Sequence, residues 1–414
     1  MFRRLLVSLI RQGTLTVVRP NGRRESFGSG EPRVAVRLHD RRAIFELVLN
    51  PDLKLGELYM DGRLTLEQGD VADLLGLLMM NLRTARPPAL YRLGAAFRFL
   101  TRRFAQFNPA WRAKAHAAHH YDLSGRLYDL FLDRDKQYSC AYFTAPGETL
   151  EEAQIGKKRH IAAKLNLDRH GLKVLDIGCG WGGLALDLAR DLGASVLGVT
   201  LSENQVAVAR ERSREARLAE RCKFELVDYR ALGGTYDRIV SVGMFEHVGV
   251  AYYPAFFAKV RDLLAEDGTI LLHTIGRSDG PGSTNPWIAK YIFPGGYIPA
   301  LSEMMQAVEK SGLIITDVEI LRLHYAETLK EWRSRFLANR AEAARLYDER
   351  FCRMWEFYLA GSEMAFRHDH QVVFQIQLTK RQSALPLTRD YMVDGERTMR
   401  FAGTEQMPSA RRAG

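Results

Sequence analysis

From about residue 150 onward, short apolar runs alternate with segments of helical periodicity, and this alternation restricts the possible folds most strongly. Residues 183–193 and 204–218 repeat apolar side chains at the spacing of an amphipathic helix. Strands that alternate with such helices predict an α/β fold with a doubly wound, Rossmann-like sheet. Helical insertions interrupt the pattern after the fifth strand. The predicted strands are KVLDIG, ASVLGVTL, KFELVD, YDRIVSVG, GTILLHTIG and HQVVFQIQLTK.

The first 82 residues follow another pattern and predict a small α+β domain. A short amphipathic helix is expected over 1–12, and VADLLGLLMM predicts a helix that ends near residue 82. Between them, strands are expected at TLTVV, VAVRL, AIFELVL and RLTL. Pro87 and Pro88 mark the start of a connector. The expected division is an N-terminal domain (1–82), a basic aromatic connector (83–120), a catalytic domain (121–380) and a polar, loosely ordered tail (381–414).

Positive charge is concentrated in the N-terminal domain and the connector. The net charge is +10, and no acid lies between Asp73 and Asp122, where arginines alternate with aromatic residues. Blocks of one sign attract nucleic acid or phospholipid head groups, although a solvated basic face without a partner is the plainer interpretation. Aromatic interleaving is typical of an interfacial helix, and no nucleic-acid-binding motif is present. We therefore expect a membrane surface, not nucleic acid, as partner.

The same sequence features predict the compartment. No apolar run is long enough for a transmembrane helix, and residues 1–12 lack the cleavage site of a signal peptide. The cysteines have neither paired nor metal-ligand spacing, so no metal is expected. We expect a cytoplasmic protein, peripheral on the inner face of the cell membrane. The cysteines are Cys140, Cys179, Cys222 and Cys352.

A glycine-rich loop directly follows the first predicted strand and opens a helix. Glycines are needed where a ligand approaches the backbone closely and where a turn requires unusual dihedral angles. Nicotinamide and flavin domains use similar loops, so the glycines alone leave the cofactor open. VLDIGCGWG, however, resembles the first motif of class I methyltransferases, which bind S-adenosylmethionine. The resemblance implies that Asp176 directs the cofactor's amino group and that Gly178 and Gly180 pack against the cofactor.

The second strand lacks the terminal acid that commonly holds a ribose. Thr200 and Gln205 could offer polar contacts to the ribose instead. Asp228 and Tyr229 end the third strand, where they could contact adenine, although Asp228 could also be a simple turn acid. The expected cofactor-binding residues are Tyr138, Ser139, Asp176, Gly178, Gly180, Thr200, Leu201, Gln205, Asp228 and Tyr229.

Five motifs in order resemble the cyclopropane-fatty-acid-phospholipid synthase family. They are QYSCAYF, GVTLSENQ, VDYR, SVGMFEHVG and LLHTIG. The resemblance covers most of 120–380 and, more weakly, 1–82. Members that act on carrier-bound mycolic acids resemble the catalytic part alone, whereas phospholipid-acting members add an N-terminal domain. The resemblance therefore implies transfer of a methylene unit from S-adenosylmethionine to the cis double bond of an unsaturated phospholipid acyl chain, forming a cyclopropane ring.

This chemistry makes two demands on the protein. An alkene can attack a sulfonium methyl group without an enzyme nucleophile, but the resulting carbocation must be tolerated and must lose a proton. Aromatic faces attract cations by about 0.5–2 kcal/mol. Candidate aromatic residues are Tyr142, Phe143, Phe245, Tyr291, Phe293, Tyr297 and Phe336. For the base, the resemblance implies a bicarbonate ion at the backbone of Cys140, Glu246, His273, the backbone of Ile275, and Tyr325.

Taken together, these residues suit an anion, since His273 and Tyr325 can donate hydrogen bonds and Glu246 can accept the bicarbonate proton. Each also has a plainer interpretation. His273 could be a satisfied core histidine, and Glu246 could cap the helix that begins at HVG. Cys140 could be a nucleophile, but the mechanism needs no covalent adduct and no base adjoins it.

Three other functions are compatible with the sequence. The chain could methylate an unsaturated acyl chain without closing a ring, because both reactions share the initial cation. It could methylate a small molecule or an RNA base, or it could bind lipid without catalysis. We expect the N-terminal domain to dock on lipid, and a homodimer would let two such domains grip one membrane.

Overall fold

The computed structural model describes residues 2–82, 94, 96–102, 106, 125–399 and 401. Within these ranges the chain divides into two compact units. Most of the connector predicted over 83–120 lies outside the described residues. Unit 1 consists of Met1–Phe107, Gly276–Ala300 and Tyr325–Val372, and unit 2 of Asn108–Ile275, Leu301–His324 and Val373–Gly414.

The N-terminal part of unit 1 is a four-stranded sheet with helices. Its elements are α1 (Phe2–Leu9), β1 (Gly13–Val18), β2 (Arg24–Ser29), β3 (Arg33–Leu38), α2 (Arg41–Leu49), α3 (Pro51–Met60), β4 (Leu64–Gln68) and α4 (Val71–Leu82). The strand order is β2-β1-β3-β4, with β1 parallel to β3 and the other pairs antiparallel. Leu15, Val36 and Leu74 are among the residues of its apolar core. The predicted α+β character of this region is confirmed.

Two elements of this region differ from the sequence prediction. The segment AIFELVL, predicted as a strand, forms most of α2 because Asp40 caps the helix: its carboxylate accepts the Ala43 N–H at 2.8 Å. Ala43 is then buried, and Ile44 and Leu47 pack on the core at helical spacing. Strand β2 was missed because its mostly exposed residues carry no alternating apolar pattern.

The remaining elements include all six predicted strands and one strand that was not predicted, β10. In chain order they are α5 (Gly125–Asp129), α6 (Leu150–Lys164), β5 (Lys173–Ile177), α7 (Gly183–Asp191), β6 (Ser195–Thr200), α8 (Glu203–Glu215), β7 (Cys222–Leu226), β8 (Tyr236–Val242), α9 (Tyr253–Leu263), β9 (Leu264–Arg277), α10 (Pro286–Tyr291), α11 (Leu301–Ser311), β10 (Ile314–Leu321), α12 (His324–Ala338), α13 (Arg340–Leu346), α14 (Glu349–His368), β11 (Gln371–Thr379) and α15 (Asp390–Thr398). Short 3₁₀ turns lie at Tyr229–Ala231, Phe245–His247, Val250–Tyr252 and Gln382–Ala384.

Unit 2 is built on a seven-stranded sheet of order β10-β11-β9-β8-β5-β6-β7. Strands β5 to β9 pair in parallel, and β10 pairs antiparallel with β11. The chain runs from β5 outward to β6 and β7 and then returns to β8 on the other side of β5. This reversal leaves a crevice at the carboxyl end of β5, where doubly wound sheets bind ligands. The predicted fold class is confirmed.

The segments inserted after β9 and β10 pack with the N-terminal elements inside unit 1. Helix α14 packs along α4, and Trp287 of α10 packs on α3 at Gly56. A Cβ at Gly56 would lie 2.4 Å from Trp287 Nε1, so glycine permits this approach. Glu57 accepts hydrogen bonds from Lys290 Nζ (2.6 Å) and the Tyr291 hydroxyl (2.9 Å).

The tail was expected to be loosely ordered from Arg381, and for its described residues this expectation is wrong. Helix α15 packs against α6 of unit 2. Met392 is buried, and Phe401 joins the main apolar core of the unit. Glu396 pairs with His160 at 3.0 Å. The sequence did not predict this packing, because the few apolar residues of the tail are separated by arginines and other polar residues.

Candidate active site

A cavity opens in unit 2 at the carboxyl end of β5, and the ends of β6, β7 and β8 complete its wall. The structure brings all ten predicted cofactor-binding residues to this cavity. They are Tyr138, Ser139, Asp176, Gly178, Gly180, Thr200, Leu201, Gln205, Asp228 and Tyr229. Further lining residues that the sequence did not single out include Gln137, Lys157, Trp181, Met244 and His247.

The glycine-rich loop forms the floor of the cavity and requires glycine at its first turn. Gly178 has φ +85°, and a Cβ there would lie 2.8 Å from the Met244 Cβ. Any larger residue would therefore be strained and would also collide with the opposite wall. Helix α7 begins directly after the loop, so its free N–H groups point toward the same space.

The polar residues at the ends of β6 and β7 hold one another. Thr200 Oγ1 donates to Gln205 Oε1 at 2.8 Å. Asp228 accepts the Arg230 N–H at 3.0 Å and pairs with the Arg230 guanidinium at 2.5 Å. The turn role that we considered for Asp228 is therefore present, and the same residue also lines the cavity.

Two buried charged groups lie on the same cavity. Asp176 is 2% exposed, and burial raises the pKa of its carboxyl to about 7, while Lys157 opposes the rise. Lys157 is 1% exposed, and burial lowers the pKa of its ammonium to about 8. Its Nζ donates to Gln137 Oε1 (2.7 Å) and to Ser139 Oγ (2.9 Å). The sequence concealed Lys157 because it precedes Lys158, Arg159 and His160, which together suggest a solvated helix face.

A second cluster of buried polar residues lies at the end of β9. Glu246 lies in the 3₁₀ turn Phe245–His247, and its Oε1 accepts the Ile275 N–H at 2.7 Å. Its Oε2 is buried and has no hydrogen bond of good geometry from the described residues, although the nearby Thr274 hydroxyl, which donates to the Ile275 carbonyl at 3.1 Å, helps to lower the pKa of the carboxyl. Burial raises the pKa of Glu246 to about 7, against the effect of the Ile275 amide. Glu246 thus spans from its turn to β9, which the helix-cap interpretation does not explain.

The His273 imidazole is fixed by a residue that the sequence analysis missed. Gln375 Nε2, on β11, donates to His273 Nδ1 at 3.1 Å. An accepting Nδ1 assigns the remaining proton to Nε2. Burial lowers the pKa of His273 to about 3, so the ring is neutral. Gln375 Oε1 is also buried without a partner among the described residues. A buried glutamine within the apolar run VVFQIQL was the available signal for this role.

The rest of the predicted anion-binding set is divided between the two units. Cys140 is fully buried in unit 2, and its thiol donates to the Ala141 carbonyl at 3.2 Å. The Ile275 amide, which the resemblance assigned to the anion, already donates to Glu246. Tyr325 belongs to unit 1, where its ring contacts Phe366 at 5.0 Å. Unit 2 by itself therefore joins Glu246, Ile275 and His273 at one end of β9.

The aromatic candidates have different surroundings. Tyr142 stacks between His160 (4.1 Å between ring centroids) and His324 (4.8 Å). Phe245 packs against Tyr253 at 4.4 Å and is fully buried, as a core residue would be. In unit 1, Tyr291 donates to Glu57. These contacts give three of the seven candidates a structural role of their own.

Comparison with known proteins places this geometry in a family. Residues 110–376 match the family model described as mycolic acid cyclopropane synthetase, and residues 2–85 match a domain of unknown function. The chain is 38% identical to the cyclopropane-fatty-acyl-phospholipid synthase of Escherichia coli K12, across 85% of this chain and 89% of that protein. It is 36% identical to the "Probable fatty acid methyltransferase" of Pseudomonas putida, across 87% and 92%.

A solved structure gives the same relationship. The mycolic acid cyclopropane synthase CmaA1 complexed with SAH and CTAB superposes with a TM-score of 0.61 and 33% identity. The alignment covers 66% of this chain and 99% of that one. SAH is S-adenosylhomocysteine, the demethylated form of S-adenosylmethionine. The chain therefore has the fold of S-adenosylmethionine-dependent methyltransferases.

Proposed function

Because the chain belongs to the mycolic acid cyclopropane synthetase family, we propose that it transfers a methylene unit from S-adenosylmethionine to the cis double bond of an unsaturated phospholipid acyl chain and closes a cyclopropane ring. One observation carries the proton-removal step: the Glu246 carboxylate, which has a buried oxygen without a hydrogen-bond partner among the described residues, is bound at the β9 end that carries His273, a neutral and oriented histidine. Methyl transfer to an alkene leaves a carbocation, and this cation must lose a proton to give either a cyclopropane or a methylated alkene. The similarity to cyclopropane synthases favours the ring. A buried acceptor beside a fixed donor is what proton removal requires.

Bicarbonate is the base that these residues suit. Buried polar atoms without partners are rare in proteins and often mark a missing ligand. Glu246 Oε2 and Gln375 Oε1 are two such acceptors, and His273 offers a donor. An ion with one O–H and two further oxygens could satisfy both kinds of group, whereas a carbonate without a proton could not donate to Glu246. This combination of hydrogen-bond acceptors and one donor therefore supports a protonated anion.

Each residue of the cluster has a separate task in this proposal. When bound, S-adenosylmethionine supplies an activated methyl group and bicarbonate supplies the base. Glu246 Oε2 accepts the anion's proton, and the Ile275 amide fixes Oε1 so that Oε2 keeps one position. His273 donates from Nε2 because Gln375 occupies Nδ1. Asp176 and the glycine loop hold the cofactor, with the loop backbone close enough to pack against it.

The direct test uses the purified protein, S-adenosylmethionine and vesicles of an unsaturated phospholipid, with and without added bicarbonate. We expect the acyl chains to gain one CH₂ by mass and to resist ozonolysis, and we expect the rate to fall in bicarbonate-depleted buffer. Unchanged lipid would reject the proposed substrate. A rate independent of bicarbonate would reject the proposed base while leaving the methyl transfer intact.

Methylation without ring closure is the second candidate function. The alignment with the "Probable fatty acid methyltransferase" covers 87% of this chain, and its name specifies no ring. Both reactions add the same atoms, so mass alone does not separate them. An ozonolysis-sensitive double bond in the product would favour this alternative.

The N-terminal elements offer a face for an anionic membrane surface. Helix α1 packs against α2 in unit 1. Arg41, Phe45 and Leu49 lie four residues apart on α2, and Phe45 and Leu49 are 63% and 54% exposed. The exposed residues of α1 are Arg3, Arg4, Val7 and Ser8. None of these three arginines, Arg3, Arg4 and Arg41, forms an ion pair with another described residue.

Exposed apolar side chains beside unpaired cations are the pattern of a helix that lies in a membrane interface. We propose that this face of α1 and α2 attaches the protein peripherally to anionic phospholipid. None of the described helices combines the length and apolarity needed to cross a bilayer.

The double substitution Phe45→Ser and Leu49→Ser should weaken binding to anionic phospholipid vesicles by about 10- to 100-fold. Each apolar side chain contributes roughly 1.5–3 kcal/mol when fully buried, and interfacial burial is partial. Vesicle co-sedimentation measures the effect, and the affinity for S-adenosylhomocysteine should stay unchanged.

The matched control is Leu387→Ser, which removes a leucine that is fully exposed in unit 2. It should bind vesicles as the unmodified protein does. Equal binding by the double variant would show that α2 does not face the membrane.

A further inference from the structure

Two opposite charges line the cofactor cavity without an ion pair. Asp176 and Lys157 are both nearly inaccessible, at 2% and 1% exposure. Within the described residues, neither lies in a salt bridge. Burying a charge without a partner costs several kcal/mol, so such a group either shifts its pKa toward the neutral form or is stabilised by a charged ligand. A cavity that presents one cation and one anion suits a ligand that carries both.

The charged neighbours of Lys157 have other partners, and the two carboxylates among them, Asp133 and Asp135, favour its charged form without forming an ion pair with it. Lys158, the next residue, pairs with Asp135 at 2.8 Å and also with Asp187. Asp133 accepts the backbone N–H groups of Asp135 (3.0 Å) and Gln137 (2.8 Å). The two acceptors of Lys157 are therefore the neutral oxygens of Gln137 and Ser139. One N–H of the ammonium and the Ser139 hydroxyl proton are still available for an anion.

A purely structural lysine would hold the segment that carries Gln137 and Ser139. That segment already has an anchor, because Gln154 Nε2 donates to the Gln137 carbonyl (3.3 Å) and the Ser139 carbonyl (3.1 Å). Gln154 lies on the same helix, one turn before Lys157. The backbone of this wall is thus tied to α6 without the ammonium group.

We propose that Lys157, together with the Ser139 hydroxyl, binds the carboxylate of the cofactor's methionine half while Asp176 binds its ammonium. The inference rests on S-adenosylmethionine as the cofactor and not on the lipid reaction. A zwitterion requires one buried charge of each sign, and Lys157 supplies the one that the glycine-loop motif lacks. It is a binding and positioning residue: by fixing the amino-acid end, it fixes where the sulfonium methyl points.

The test compares S-adenosylhomocysteine with its decarboxylated analogue, which keeps the amine and the adenosine but lacks the carboxylate. We expect the unmodified protein to bind the carboxylated form about 10- to 100-fold more tightly, since hydrogen bonds to charged groups contribute at that level. Lys157→Met should lose most of this preference: its affinity for the carboxylated form falls, and its affinity for the analogue does not. Lys157→Arg should recover part of it. Titration calorimetry without lipid measures the affinities of all three proteins for both ligands.

The control is Thr200→Val, which alters another residue of the same cavity and should change the affinity for both ligands by the same factor. An equal loss for both ligands in Lys157→Met would overturn the proposal, because it would indicate a structural lysine. If that variant fails to fold, the unmodified protein still decides, since equal binding of the two ligands also overturns it. Normal discrimination in a protein that leaves lipid unchanged would instead reject only the proposed reaction.

Discussion

Glu246→Gln is expected to lower turnover of the lipid reaction by about 10²- to 10⁴-fold, the usual contribution of general acid–base groups. The amide has nearly the shape of the carboxylate and can still accept the Ile275 N–H. At the buried Oε2 position, however, it would either present an oxygen of much weaker basicity or turn an NH₂ donor toward the anion's proton. The loss is therefore one of chemistry and not of packing.

The cofactor should be unaffected by this change. Glu246 is not among the residues that line the cofactor cavity, so calorimetric affinity for S-adenosylhomocysteine should match that of the unmodified protein. Glu220→Gln, an exposed glutamate on the same unit, is the matched control and should retain full turnover. Full turnover in Glu246→Gln would show that Glu246 takes no part in proton transfer.

The pH dependence follows from the same residue. Burial raises the pKa of Glu246 to about 7, and only the ionised carboxylate can accept a proton. With saturating cofactor, turnover should therefore fall as the pH drops below about 7. His273 should not change the turnover in this pH range, because burial lowers its pKa to about 3. At a fixed concentration of the bicarbonate ion, the residual activity of Glu246→Gln should lack this dependence.

Asp176→Asn is expected to have the second large effect: affinity for S-adenosylhomocysteine should fall by roughly 100-fold. The amide cannot balance the charge of the cofactor's ammonium. The same variant should make the cofactor-free protein more stable at neutral to basic pH. Asp176 is buried without an ion pair among the described residues, so its ionised form destabilises the fold.

The sign follows from linkage between protonation and folding. The pKa of Asp176 is about 7 in the folded protein and ordinarily 3.8. A carboxyl whose folded pKa is raised contributes stability below its ordinary pKa and loses that stability as the pH rises through the folded value. The advantage of Asp176→Asn should therefore be on the order of 1–3 kcal/mol above pH 7 and vanish below pH 4.

Thermal unfolding at several pH values, without cofactor, measures this effect. Asp237→Asn is the control. It alters a half-buried carboxylate that accepts the Lys173 N–H at 2.8 Å, and we expect it to give no gain in stability at high pH. A pH-independent difference between Asp176→Asn and the unmodified protein would contradict the buried-charge explanation. Unchanged cofactor affinity would contradict the assigned role of Asp176.

Features that depend on short windows were predictable from the chain alone. The alternation of strands and helices gave the doubly wound sheet, because each periodicity is contained within a few turns or a few strand residues. The loop at Gly178 was predictable because a positive φ and a close approach demand glycine wherever they occur. Even the error at α2 was local: the Asp40 cap outweighed the strand-like composition that follows it.

Tertiary packing alone decided which distant residues meet. Gln375 reaches His273 only because β11 is inserted beside β9, although more than ninety residues separate them in the chain. Lys157 becomes a cavity residue because α6 packs beside the segment that carries Gln137 and Ser139. Burial then shifts the pKa values of Lys157, Asp176 and Glu246. Desolvation depends on what surrounds a group in space, so the side-chain types indicated the chemistry and the fold determined the charge states that perform it.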